Sequence, residues 1–485
     1  MKNNGLFRRL SALALCCALL LALPLPQAFA TGDDFDEDVS DTDTAGQDGA
    51  ADAGGTQDAT TSGGLADPQI DATAALLVNP DTGMVLYEKN ADEKRYPAST
   101  TKIMTALLTL EHADLADTVT AEEVDFEGVA ADASNADIKV GETVTVKDLL
   151  YAIMLPSANE AANMLARHVG GSVEGFVEMM NAKAEELGCK GTHFMNANGL
   201  HDPEHYTTAR DLLIITQAVM QDETFTNIVD TVQYRMAATN MHQERIIYTT
   251  NQLIFSSFQP WYYAYCKGVK TGHTSEAGNC LVSYAVRGKA RLYSVVLGCA
   301  DAPDSSTVAK SFTSTSQLFD WGFTNFVSKT LAKKGDEITR VKIELSTDTD
   351  ELVLTAQNDL VASIPKNLEL EDLDATPTVP ESRKAPVKAG DVIGSLTYSY
   401  AGVEYGTVQL VALNDVEMSQ VLYYADKLEN FFKSSVFKIV LVVLAIFIVL
   451  YILFNLTFGG MRRRKQRKNM RSRYENANYQ RRRRK

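Results

Sequence analysis

From Ile439 to Phe458 the chain runs for twenty residues without a single charge. As a helix, at about 1.5 Å per residue, that stretch is about 30 Å long, enough to span the hydrocarbon core of a bilayer. It divides the molecule. Beyond it, residues 459–485 hold thirteen Lys/Arg against one acid, clustered at 462–468 and 481–485. Residues 1–30 hold three basic residues and no acid; the whole chain has a formal charge of −16, which leaves −31 for residues 31–458. Basic residues directly after an apolar span are the usual stop-transfer signal and mark the cytoplasmic side. The tail at 459–485 therefore reads as cytoplasmic without a nucleic-acid partner, and the acidic body as extracytoplasmic.

The other end fits the same topology. Lys2, Arg8 and Arg9 precede an apolar stretch from Leu10 to Leu25, followed by Ala28-Phe29-Ala30, a secretory signal (1–30) cleaved after Ala30. Residues 31–67 are mostly Asp, Gly, Ala, Thr and Ser, too poor in apolar groups to offset the entropy of ordering, and are expected to form a disordered acidic spacer. Four cysteines remain after the signal: Cys189, Cys266, Cys280 and Cys299. Their spacing fits no zinc pattern, and they either form disulfides in one of three pairings or stay buried thiols. His201 and His205 are four apart, but Pro203 between them spoils a helical metal site. No metal and no cofactor are expected.

Within the acidic body the pattern first gives a hairpin, Ala74–Val78 and Met84–Tyr87 about the turn Asn79-Pro80-Asp81-Thr82-Gly83. A helix from Ser99 to about Leu110 follows, with Ile103, Met104, Leu107 and Leu108 on its apolar face. The segment Val146–Leu155 is stopped by Pro156, and Gly170-Gly171 closes the next helix. Ser172 caps a helix with Phe176, Met179, Met180, Ala184 and Leu187 at core spacing, and Thr208 to Asp211 has capping-box spacing. From Tyr263 three antiparallel strands are expected, near 267–274, 280–286 and 292–298, then a helix from about Ser305 to Trp321. Residues 335–415 alternate in short segments, as a small all-β domain does. The fold class is α+β, an antiparallel sheet flanked by helices, followed by that small all-β domain and one C-terminal transmembrane helix.

Ser99 and Lys102 are separated by one helical turn, which sets a hydroxyl and an amine on one face beside unpaired helix N–H groups. Serine needs a neighbour to take its proton, and lysine can do so only if burial or a second cation lowers its pKa. A chain of this size should hold on the order of two chance Ser-x-x-Lys matches. Ser363 to Lys366 and Ser435 to Lys438 are two such, the first spoiled by Pro365, the second lying just before the apolar span. What singles out Ser99 is its company: Ser157-Ala158-Asn159 in the break between two helices, and Lys270-Thr271-Gly272 on a strand. The bland reading of Ser157 is a cap for the helix that follows.

This ordered triple resembles that of class A β-lactamases and penicillin-binding proteins. With Pro97-Ala98-Ser99-Thr100-Thr101-Lys102, Ser157-Ala158-Asn159-Glu160, His205-Tyr206-Thr207-Thr208-Ala209-Arg210-Asp211 and Lys270-Thr271-Gly272-His273-Thr274, residues 68–327 resemble the serine D-alanyl-D-alanine carboxypeptidases, and 335–415 resemble that family's C-terminal β domain. The resemblance implies removal of the terminal D-alanine from peptidoglycan stem pentapeptides through an acyl-enzyme on Ser99, and covalent inhibition by β-lactams. It implies Lys102 as base, Ser157 as proton relay, Asn159 on a substrate amide, Lys270 and Thr271 at the substrate carboxylate, and the N–H groups of Ser99 and His273 as oxyanion hole. This chain departs from the family in carrying a span long enough to cross the membrane, and in having Cys299-Ala300-Asp301-Ala302-Pro303 where the family often has an Arg. A β-lactamase would need a Glu-activated water, and no Glu-x-x-Leu-Asn stretch lies between Ser157 and Lys270. A catalytically idle wall-binding protein is the alternative from another class.

Overall fold

The hairpin turn at 79–83 starts the architecture. Asn79 Oδ1 accepts from the Asp81 N–H at 2.9 Å, and Gly83 takes φ +70°, so β1 (Ala74–Val78) and β2 (Val85–Lys89) pair antiparallel across it. The computed structural model describes residues 65–130, 132–257, 261–300 and 310–482; the expected signal and nearly all of the expected spacer lie outside them. β1 also pairs with β9 (Ala290–Cys299), which runs beside β8 (Gly278–Arg287) and then β7 (Cys266–Thr274). The order in this five-stranded antiparallel sheet is β2-β1-β9-β8-β7.

β1 reads Ala-Ala-Leu-Leu-Val without alternation because both its faces are covered. Ala74, Leu76 and Val78 point into one core with the larger group of helices, and Ala75 and Leu77 into another with Phe312, Leu318 and Phe319 of α7 (Lys310–Asn325). The two-residue period of a strand thus distributes one apolar run between two layers.

Between β2 and β7 the chain forms α1 (Lys102–His112), the short pair β3 (Thr118–Thr120) and β4 (Thr143–Thr145), α2 (Val146–Met154), α3 (Asn159–Gly170), α4 (Val173–Glu186), α5 (Ala209–Val219), α6 (Glu223–Val229) and the hairpin β5 (Gln233–Met236) with β6 (Arg245–Tyr248). α1 is buried from Lys102 to Thr109, so its threonines need internal partners: Thr105 Oγ1 donates to Ala197 O at 2.6 Å and Thr109 Oγ1 to Thr105 O at 2.7 Å. Ser172 caps α4 as expected, accepting from the Gly175 N–H at 3.1 Å. At α5 only half of the capping box forms. Thr208 accepts from the Asp211 N–H, but the Asp211 carboxylate turns away to hold the Lys190 and Gly191 N–H groups and the Thr192 hydroxyl.

Strand pairing in the second half starts at Phe326, ahead of residue 335, because β10 (Phe326–Ala332) pairs with β13 (Leu360–Pro365). β11 (Glu337–Glu344), β12 (Glu351–Ala356), β14 (Asp374–Thr378), β15 (Ser382–Lys384), β16 (Val392–Tyr400) and β17 (Val403–Ala412) form a sheet of order β14-β16-β17-β12-β11-β15. Ser363, the serine of one chance Ser-x-x-Lys match, is buried on β13 and accepts from Asn79 Nδ2 at 2.8 Å, tying this half to the first hairpin turn. α8 (Gln420–Lys433) and α9 (Ser435–Arg482) follow. Within α9, Ser435–Leu456 is long and apolar enough to cross a membrane.

Candidate active site

The chain enters the site through a strained turn. Ala98 has φ +47°, a left-handed conformation that costs a non-glycine residue about 1 kcal/mol. Ser99 lies in a 3₁₀ turn, Ala98–Thr101, closed by the Thr100 hydroxyl and N–H on Pro97 O at 2.7 and 3.3 Å. The regular helix therefore begins at Lys102, one turn later than the spacing predicts, and Ser99 sits half-buried at its mouth.

Lys102 is fully buried, with Nζ 3.0 Å from Ser99 Oγ, 2.8 Å from Asn159 Oδ1 and 2.5 Å from Asn198 O. Burial first, and then the neighbouring Lys270, push its pKa well below the usual lysine value, against the opposing pull of Glu160. A neutral amine that gives its two protons to Asn159 and Asn198 has its lone pair left for the Ser99 hydroxyl. That is the geometry of a base beside its nucleophile.

Pro156 ends α2, and Ser157 follows it with φ +66°. Ser157 does not cap the next helix. Ala158 holds the N-cap position without a side-chain bond, and Ser157 Oγ instead accepts from Lys270 Nζ at 2.9 Å. Asn159, the first residue of α3, is fixed by its own N–H on Ser134 O at 2.9 Å. Lys270 on β7 is 1% exposed and also donates to Thr271 O at 2.9 Å; burial draws its pKa down to about 7.

Gly272 allows β7 to lie against the turn that carries Ser99. A Cβ there would stand 3.0 Å from Pro97 O and 3.1 Å from the Ser99 and Thr100 nitrogens. His273 is exposed on the same strand, in register with Asn279, and Thr271 Oγ1 is 2.5 Å from Thr250 Oγ1. Side-chain bonds join Ser99, Lys102 and Asn159 in one set and Ser157 with Lys270 in another, the two sets being coupled by the charge of Lys270 on Lys102, while Thr271, Gly272 and His273 continue β7.

Asn198 and Gly199 belong to no motif read from the sequence, and both bear on the site. The Asn198 carbonyl is the third partner of Lys102 Nζ, and the Asn198 side chain donates to Asn163 Oδ1 at 3.1 Å. Gly199, at φ +84°, fits against Ala98 where any Cβ would fall 2.0 Å from the carbonyl oxygen. The Asn-Gly pair was the available signal, since it marks a turn with positive φ. His205 is buried beneath the site with Nε2 2.8 Å from Thr101 Oγ1 and Nδ1 accepting from the Met195 N–H at 3.1 Å. Both ring nitrogens are therefore engaged, and burial lowers its pKa to about 4. The four cysteines are separate thiols.

Residues 61–301 match the D-alanyl-D-alanine carboxypeptidase family, and residues 326–418 the C-terminal domain of penicillin-binding protein 5. The D-alanyl-D-alanine carboxypeptidase DacF of Bacillus subtilis is 31% identical over 357 residues, covering 72% of this chain and 86% of its own. The chain belongs to the D-alanyl-D-alanine carboxypeptidases. It is thus a serine hydrolase of the penicillin-binding protein group. DacC of Escherichia coli, also a D-alanyl-D-alanine carboxypeptidase, is 31% identical over 361 residues, 72% of this chain and 85% of its own. Penicillin-binding protein 5 of Haemophilus influenzae superposes with a TM-score of 0.61 at 30% identity, over 73% of this chain and all of that one. This carboxypeptidase therefore shares with its relatives both the sheet-and-helix domain and the β domain behind it.

Proposed function

We propose that Ser99 is the nucleophile and that the substrate is the pentapeptide stem of peptidoglycan. The observation that carries the reading is the 3.0 Å approach of a buried, proton-seeking Lys102 to Ser99 Oγ, with Lys270 held behind Ser157. Ser99 Oγ attacks the carbonyl carbon of the penultimate D-alanine as Lys102 Nζ takes its proton. The developing oxyanion is stabilised by the N–H groups of Ser99 and His273. As the C–N bond breaks, the leaving D-alanine nitrogen receives a proton passed through Ser157. Water then hydrolyses the Ser99 ester, with Lys102 again accepting a proton. Asn159 holds a substrate amide, and Lys270 with Thr271 draws in the terminal carboxylate. A β-lactam would acylate Ser99 by the same attack and remain as a covalent adduct.

The test is incubation of the enzyme with a stem pentapeptide, read by mass spectrometry. Loss of one alanine by wild type and none by Ser99→Ala is the expected result. An inert wild-type protein would favour a wall-binding role, and turnover of penicillin within milliseconds a β-lactamase.

The same reading makes the protein a single-pass membrane enzyme working in cell-wall maturation. Its exported N-terminal signal would be removed, Ser435–Leu456 would cross the bilayer, and the basic tail would lie in the cytoplasm. Supporting this are the length of the apolar stretch and the charge step across it. External protease on intact protoplasts should remove the catalytic domain and spare an epitope placed at the C-terminus; cleavage of that epitope would reverse the orientation.

A further inference from the structure

Thr250 stands just past β6, in a segment that carries no motif. Its main chain is pinned: Thr249 donates to Val232 O at 2.9 Å, Thr250 to Leu155 O at 3.0 Å, and Asn251 Oδ1 accepts from the N–H of the fully buried Leu253 at 3.0 Å. Leu155 lies two residues before Ser157, so Thr250 is fastened to the loop that carries the candidate proton relay. The Thr250 side chain is exposed, and its Oγ1 is 2.5 Å from the half-buried Thr271 Oγ1. Beneath them Lys270 Nζ donates to Thr271 O at 2.9 Å.

Two hydroxyls at that distance share one of their two protons. No acceptor is seen for the second among the described residues, so it is available to be donated outward. An anionic oxygen is the acceptor favoured there, because the N–H groups of Lys270 Nζ lie behind and because accepting the second proton polarises the first hydrogen bond.

We infer that Thr250 is a substrate-binding residue, its hydroxyl and that of Thr271 forming a two-point site for the terminal carboxylate of the peptide. The inference rests on the reading above that Lys270 and Thr271 face that carboxylate. Thr250 is specificity-determining in this sense: it favours substrates that end in a free carboxylate over those that do not. Valine keeps the shape and the backbone N–H of threonine, so Thr250→Val removes only the hydroxyl.

The test uses the full-length enzyme in detergent micelles and two thioesters with the same scissile bond, an N-acyl-D-alanyl thioglycolate and its methyl ester. Only the first has a terminal carboxylate. Thr250→Val should lower kcat/KM for the free acid about tenfold, the effect of one hydrogen bond to a charged group, mainly through KM. It should change the methyl ester less than twofold, and Thr250→Ser should restore the free acid. Equal losses on both substrates would make Thr250 a structural residue only, and no loss on the free acid would also overturn the inference. Thr271→Val separates the two levels of the argument. If it fails to discriminate between the substrates, the carboxylate reading of this end of the cleft is wrong; if it discriminates and Thr250→Val does not, only the role of Thr250 falls.

Discussion

Replacing Gly199 with alanine should disable the enzyme from a position that touches no substrate. A Cβ at 199 would fall 2.0 Å from Ala98 O, 2.5 Å from Ala98 C and 3.0 Å from the Ser99 nitrogen, all backbone atoms that cannot rotate away. Bringing the first contact back even to 3.0 Å requires the two segments to part by about 1 Å. Asn198 O, at 2.5 Å from Lys102 Nζ, would be carried out of hydrogen-bonding reach, and the Ser99 turn would move against Lys102. A misplacement of about 1 Å costs on the order of 100-fold in rate. Gly188 is the control. It has φ +83° against +84° at Gly199, but a Cβ there meets nothing within 4 Å. Gly188→Ala therefore incurs only the left-handed strain, about 1 kcal/mol, and a fall in Tm of a few degrees. The assay is the second-order rate of labelling by a fluorescent penicillin, with thermal melts on both variants. Labelling of Gly199→Ala within threefold of wild type, or equal losses in the two variants, would refute the packing argument.

Lys270→Met removes the charge that, after burial, helps lower the Lys102 pKa, so that pKa should rise and the acid limb of the labelling rate should move to higher pH; an unmoved limb would leave burial as the whole cause. The same variant should be more stable near neutrality. Lys270 titrates near 7 in the fold and near 10.5 when unfolded, so its burial penalty is present in full below pH 7 and fades as pH rises to 10.5. Thermal melts should therefore show the largest gain at pH 6–7. Arg167 reaches the fully buried Asp125 at 2.8 Å, and Arg167→Ala should cost about 3 kcal/mol in denaturant titrations by leaving that carboxylate unpaired. Arg235→Ala, which breaks the exposed pair with Glu244, should have no measurable effect on them. Deleting residues 435–485 should release the enzyme from carbonate-washed membranes; retention would assign anchoring to another segment.

Much of the site was legible because its chemistry depends on short spacings. Ser99 and Lys102 are one turn apart whether that turn is 3₁₀ or α, so the start of the regular helix at Lys102 leaves their spacing unchanged. Pro156 announced the break that presents Ser157, though only the fold could choose between a cap and a bond to Lys270, a residue 113 positions away. Asn198, Gly199 and Thr250 stayed hidden for the same reason. Their roles come from contacts with Lys102, Ala98 and Thr271, and an Asn-Gly turn or a threonine near a strand end looks the same with or without such neighbours.

Local order determined the strands of the sheet, most helix ends, the apolar span and the pairing of one hydroxyl with one amine, since each depends on residues within a few positions. Tertiary structure alone decided which faces of β1 meet which core, how closely β7 could approach Ser99, and that two lysines would be buried near each other. Burial and charge coupling belong to the assembled site, and these are what draw the Lys102 pKa below that of an ordinary lysine.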